Sequence, residues 1–146
     1  PVGRETERRA VSALLGHDPL VTLFGPRGSG KTTLAALVLE RFPRHRVVPL
    51  RGVASAEGMR ARLAAAVGIV ADTDEQLAFH LRRDPGVFLL DHADDALAGD
   101  PAAARALLAR LAAVPFVHFL VTAHQATGVS TESAYALPPL GDEAER

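Results

Sequence analysis

The sequence predicts an α/β domain in which a parallel sheet is wrapped by helices on both faces. Three observations lead there. Short, nearly continuous apolar runs rich in β-formers alternate along the chain with segments of helical spacing. The first of these runs passes through a glycine-rich segment straight into a helical one, the order strand, loop, helix. The length of 146 residues, with 48% apolar and 23% charged side chains, suffices for one domain with a substantial core.

Taken in order, Glu5 to Leu15 reads as an N-terminal helix with Val11, Leu14 and Leu15 on one face, ended by Gly16. Leu20 to Phe24 is the first strand. Leu34 to Phe42 has helical spacing and stops before Pro43. Arg46 to Leu50 is a second strand, and Pro49 argues for the sheet edge, because proline lacks the donor a central ladder needs. Ser55 caps a helix reaching Val67 on a Met59, Leu63, Val67 stripe. Asp72 and Glu75 suggest a capping box for a helix to Arg83, which Asp84-Pro85-Gly86 stops. Val87 to Leu90 is a third buried strand. Asp100 as cap and Pro101 as first residue open a helix carrying Leu107, Leu108 and Leu111. Phe116 to Val121 is a fourth strand, and a short fifth lies at Ala134 to Leu137.

The chemistry concentrates in Gly25-Pro26-Arg27-Gly28-Ser29-Gly30-Lys31-Thr32, a complete G-x-x-x-x-G-K-[ST] phosphate-binding loop. Lys31 is the only lysine of the chain; the other cationic side chains are arginine. A compact ammonium on a flexible stem follows β- and γ-phosphates in a way that a planar guanidinium does not. The glycines let successive N–H groups point into one concavity, to which the following helix adds its positive end. Thr32 offers a hydroxyl to Mg²⁺, and Thr33 falls near the α-phosphate. The flanking strand and helix make this motif far more specific than the bare pattern, so the chain is expected to bind ATP or ADP with Mg²⁺.

A second acidic site follows the third strand, in Asp91-His92-Ala93-Asp94-Asp95. Asp91, at the carboxyl end of a buried strand, is where a carboxylate linked to Mg²⁺ belongs. Asp94 or Asp95 could polarise a water as general base, or be a solvated loop carboxylate.

Composition excludes several classes. A net charge of −1 gives no basic field, which disfavours direct nucleic-acid binding by this segment. The absence of cysteine rules out disulfides and thiolate metal sites and fits a cytoplasmic location. No apolar run is long enough to span a membrane. A GTPase is disfavoured because no Asn/Thr-Lys-x-Asp motif exists.

In order along the chain, Val2-Gly3-Arg4-Glu5, Thr22-Leu23-Phe24-Gly25-Pro26, Leu89-Leu90-Asp91-His92-Ala93-Asp94, Val121-Thr122-Ala123-His124 and Tyr135-Ala136-Leu137-Pro138-Pro139-Leu140 resemble the nucleotide-binding domain of STAND-class P-loop ATPases. Within that class the NB-ARC or AP-ATPase switches of large bacterial transcriptional regulators are the nearest likeness, and it covers essentially the whole chain. The resemblance implies an ASCE-type P-loop fold, three layers, with a five-stranded parallel sheet in the order 5-1-4-3-2. It implies that Val2 and Arg4 border the adenine, that Asp94 matches the family's later acid, and that a γ-phosphate sensor arginine has become His124. His92 stands where many relatives carry a second acid. It further implies that residues 1–140 form the nucleotide-binding domain and that residues 141–146 begin a truncated helical subdomain. Further domains of a longer chain, and a homo-oligomer when ATP is bound, are the partners it implies. The function expected is an ATP/ADP switch with slow hydrolysis; a nucleotide-stabilised module without turnover and an AAA-type motor or clamp loader are the alternatives.

Overall fold

A computed structural model of the chain describes residues 4–139. Val2 and the segment 141–146 therefore lie outside the described residues. The chain runs α1 (Arg4–His17), β1 (Leu20–Phe24), α2 (Lys31–Leu39), β2 (His45–Pro49), α3 (Ala56–Ala66), α4 (Asp74–Arg83), β3 (Val87–Asp91), α5 (Asp94–Gly99), α6 (Pro101–Ala112), β4 (His118–Ala123) and β5 (Ser133–Ala136). All pairings are parallel and the strand order is β2-β3-β4-β1-β5, the expected 5-1-4-3-2 read from the other edge.

The three central strands β1, β3 and β4 read as largely apolar runs because both faces of the sheet are covered there, whereas the edge strands β2 and β5 are largely exposed or half-buried. Leu20, Phe88, Leu90, Phe119 and Val121 face one core with residues of α3, α4 and α6. Their neighbours Val21, Leu23, Val87, Leu89 and Leu120 face the other, with α1 and α2. Phe88 and Phe119 lie opposite each other in the β3–β4 register, with ring centroids 5.5 Å apart. β2 is the edge strand that Pro49 demanded.

Several boundaries differ from expectation, each for a local reason. Gly16 does not end α1; the helix continues to His17, and Asp18, held beyond helical geometry by Pro19, closes it. α2 begins at Lys31 and ends at Leu39, where Arg41 and Phe42 tighten into three-residue turns on Val38 and Leu39. The cap of α4 is Thr73 rather than Asp72: its Oγ1 accepts from Gln76 N, while Gln76 Oε1 accepts from Asp72 N. Asp100 stands at the start of α6 but makes no side-chain cap; its backbone N–H closes α5 on Ala96 O. Phe116 is not in β4; it sits in a turn at φ 66° and is 83% exposed, while Val114 and Val117 fill the core on either side. α5, only six residues with no apolar stripe, has no signature in the sequence.

Candidate nucleotide-binding site

Because every strand runs the same way, β1, β3 and β4 deliver their carboxyl ends to one edge of the sheet. There the phosphate loop leaves β1, the acidic segment leaves β3, and His124 leaves β4. Together they surround a cavity of about 460 Å³ lined by Arg27, Gly28, Gly30, Lys31, Thr32, Thr33, Arg51, His92, Asp94, Asp95 and His124.

The loop's shape follows from its glycines. Gly28 and Gly30 both take left-handed φ values, 84° and 83°, which a side chain would resist. Gly25 passes so close to the chain after β5 that a Cβ there would lie 2.3 Å from Leu137 O. From behind, Arg4 holds the loop: its Nη2 donates to Ser29 O at 2.7 Å and its Nη1 to Glu7 at 2.9 Å. Arg4 is thus placed at the back of the loop and not in the cavity wall.

Lys31 is 8% exposed, and its Nζ donates to Gly25 O at 2.8 Å and Pro26 O at 3.1 Å. Burial pushes its pKa below the ordinary 10.5, and the charges of Asp94 and Asp91 offset only part of that. A desolvated ammonium beside carbonyls, at the first turn of α2, is poised for an anion with a larger charge.

Across the cavity Thr32 Oγ1 donates to Asp91 Oδ1 at 3.1 Å, and Asp91 Oδ1 also accepts from Thr122 Oγ1 at 2.6 Å. Thr122 in turn accepts from His92 N at 2.9 Å, so β4 fixes the end of β3. These two oxygens fit Mg²⁺: 3.1 Å is close to the cis edge of an octahedron, about 2.9 Å for bonds near 2.05 Å. Among the described residues no group of three or more His, Asp or Glu could hold a metal alone, which suits an ion completed by phosphate oxygens and water.

His92 has a left-handed backbone, φ 60°, a conformation that costs a non-glycine residue roughly 1–2 kcal/mol. It brings Nε2 to 3.4 Å from Thr32 Oγ1 and 3.7 Å from Asp91 Oδ2. Asp94 opens α5 and accepts from His124 N at 2.6 Å; the His124 ring, half-exposed, has its Nδ1 3.6 Å from the same oxygen.

The structure therefore gathers Lys31, Thr32, Asp91, Asp94 and His124 as sequence reasoning grouped them. Asp95, open in the sequence between a general base and a solvated loop carboxylate, lines the cavity and accepts from Gly52 N. Two participants have no role legible in the sequence: Thr122, part of a motif only, and Arg51. Arg51 follows an edge strand far along the chain, and only the sheet order carries it to the cavity.

This chain belongs to the AAA ATPase domain family, which matches residues 1–130. Members of it bind nucleotide, typically with Mg²⁺. No curated protein matches. Among solved structures, the Aeropyrum pernix ORC1 protein in complex with DNA is similar at 21% identity and TM-score 0.69, over 98% of this chain and 49% of that one. A Pyrococcus horikoshii STAND protein with a tetratricopeptide repeat sensor is similar at 14% identity and TM-score 0.62, over 95% of this chain and 23% of that one. A Walker-type ATPase of Pyrococcus abyssi matches at 17% identity and TM-score 0.61, over 85% and 45%. The domain thus spans about half the length of these chains or less, and at such identities the likeness is one of fold: the P-loop ATPase fold expected from the sequence. No helix among the described residues is long and apolar enough to cross a membrane.

Proposed function

We propose that this domain is the ATP/ADP-binding switch of a STAND-type signalling or transcriptional regulator. The observation that carries the reading is the opposed pair across one cavity: a buried, retracted Lys31 on the loop side and the Thr32–Asp91 couple on the strand side. Lys31 and the backbone of Gly28 to Thr33 bind the α- and β-phosphates, and Thr32 and Asp91 hold Mg²⁺, which would supply charge neutralisation at the phosphates. Arg4 keeps the loop in its binding shape. In this reading residues 1–140 are the nucleotide-binding domain, and 141–146 lead into a helical subdomain that closes over the adenine beside Val2. The remaining domains, an oligomer formed with ATP, and a cytoplasmic setting belong to the same proposal, as does the absence of nucleic-acid contact by this segment.

Hydrolysis is slow in this reading. His124 offers no fixed charge where a guanidinium would stand, and charge-stabilising arginines are worth roughly 10³-fold or more in phosphoryl transfer. Asp94 is the acid nearest the role of base, lining the cavity beside Lys31. Its commitment to His124 N favours the second reading, a nucleotide-stabilised module without turnover. One titration separates them. ATP and ADP with Mg²⁺ are added while thermal stability and phosphate release are followed. Stabilisation by both with slow release supports the switch, and stabilisation without release supports the module. No stabilisation by either nucleotide removes both.

A further inference from the structure

We propose that Arg51 is the residue by which this domain tells a nucleoside triphosphate from a diphosphate, its guanidinium taking the terminal phosphate in place of an arginine at His124. The inference rests on the nucleotide reading above and adds a specificity determinant to it.

Leu50-Arg51-Gly52-Val53 is a tight turn leaving β2, closed by Val53 N donating to Leu50 O at 2.9 Å, with Gly52 at φ +82°. Two hydrogen bonds latch the turn to the acidic segment. Leu50 N donates to the carbonyl of Asp91 at 2.8 Å, and Gly52 N donates to Asp95 Oδ2 at 2.7 Å. Arg51 is therefore carried at the cavity rim by a turn that the site's own strand and α5 hold in position.

Arg51 Nη2 lies 2.9 Å from His92 Nε2 and donates to it. Among the described residues Arg51 pairs with no carboxylate, whereas Arg4, Arg8, Arg44, Arg60 and Arg110 each hold one. Asp95 lines the same cavity, but it accepts from Gly52 N, not from Arg51. A guanidinium beside a phosphate cavity that is in no ion pair can take an anion without first breaking one.

The imidazole nitrogen that Arg51 touches is 3.4 Å from Thr32 Oγ1, so Arg51 lies on the Thr32–Asp91 side of the cavity. Thr32 and Asp91 would hold the metal that neutralises the distal phosphates, and Arg51 would meet the nucleotide at that end. A guanidinium matches the planar faces of phosphate oxygens with two parallel N–H bonds. Arg27 also lines the cavity and, like Arg51, is exposed, but no hydrogen bond among the described residues ties its turn to β3 or α5.

Calorimetric titration with ADP and with a non-hydrolysable ATP analogue, both with Mg²⁺, tests this. Arg51→Gln is expected to weaken the triphosphate analogue by roughly 10- to 100-fold, the worth of a charged hydrogen bond, and to leave ADP unchanged. Arg51→Lys, keeping charge without the fork, falls between. Asp95→Ala shifts the same ratio towards ADP by freeing the turn, while Asp95→Asn, which keeps an acceptor for Gly52 N, retains the preference. Should Arg51→Gln not fold, the ratio in Arg51→Lys and Asp95→Ala decides. Equal losses for both nucleotides, or no loss for either, overturn the proposal while leaving the nucleotide reading intact. A wild-type chain that binds neither nucleotide overturns both.

Discussion

Replacing Lys31 by methionine separates what this side chain does for the fold from what it does for a ligand. The stem volume stays and the charge goes. In the fold the change removes two bonds to loop carbonyls, at 2.8 and 3.1 Å, and also removes a charge that burial disfavours. Hydrogen bonds from a charged donor are worth about 1.5–3 kcal/mol each and burying an ammonium costs several kcal/mol, so the two effects largely offset. For a nucleotide nothing cancels. Two charge-assisted contacts to phosphate at about 1.5–3 kcal/mol each give a loss of about 3–6 kcal/mol, or roughly 10²- to 10⁴-fold in affinity.

Thermal unfolding with ADP and Mg²⁺ reads this directly. At a hundredfold excess over Kd the wild-type chain gains about 2.7 kcal/mol, about 5–11 °C in Tm for a chain of this size. At the same concentration the variant gains at most about 0.4 kcal/mol, about 1–2 °C, with its ligand-free Tm close to wild type. An ADP-induced shift as large as that of wild type would refute the reasoning and leave Lys31 a purely structural clamp. Alkaline pH adds a signed check. A lysine whose folded pKa lies below 10.5 costs stability at neutral pH, and that cost is relieved as pH rises through the folded value towards 10.5. The methionine variant has no such slope, so its stability difference from wild type changes only in that window.

Three further outcomes are expected. Gly25→Ala puts a Cβ 2.3 Å from Leu137 O, and the backbone must shift, costing about 1–3 kcal/mol in urea unfolding; an unchanged midpoint would show that the β5 exit does not press on the loop. Asp91→Asn is expected to weaken the Mg²⁺ dependence of nucleotide binding, since a hard cation favours a carboxylate, and identical Mg²⁺ titrations would remove Asp91 from the metal site. Glu132 is partly desolvated, which alone would raise its pKa, but the bonds it accepts from Thr127 and Gly128 win and hold it below 4.5. The stability it adds over Glu132→Gln is therefore full above pH 4.5 and shrinks as pH falls through its lowered value; a constant difference from pH 7 to pH 3 would contradict this.

Strands and the phosphate loop were legible because each is a local pattern. A two-sided buried strand such as Val87 to Asp91 writes itself as an apolar run, and Gly28, Gly30 and Lys31 are bound to fixed spacings by the chemistry of phosphates. Helix ends were less legible, since Thr73, Asp72 and Gln76 compete for the same backbone donors and only geometry chooses among them. Phe116 misled because hydrophobicity marks a strand and a turn alike when the residue stands outside the core. The hidden part of the site is the non-local part. Thr122 on Asp91, and Arg51 on His92 41 residues away, are neighbours only once the sheet order is set.

The strand order also sets when the molecule can fold. β1 lies between β4 and β5, so Leu20 has no partner in the sheet until Phe119, 99 residues later, has been made. At about 5–20 residues per second a nascent β1 waits roughly 5–20 s on the ribosome as an unpaired apolar strand. Meanwhile β2 and β3, nearer in sequence, can already pair. The phosphate loop hangs from that late strand, so no nucleotide can assist the early steps. Long-range parallel pairing of this kind is slow and exposes edges while it lasts. β1, the strand that anchors the site, is the segment most in need of shielding during synthesis.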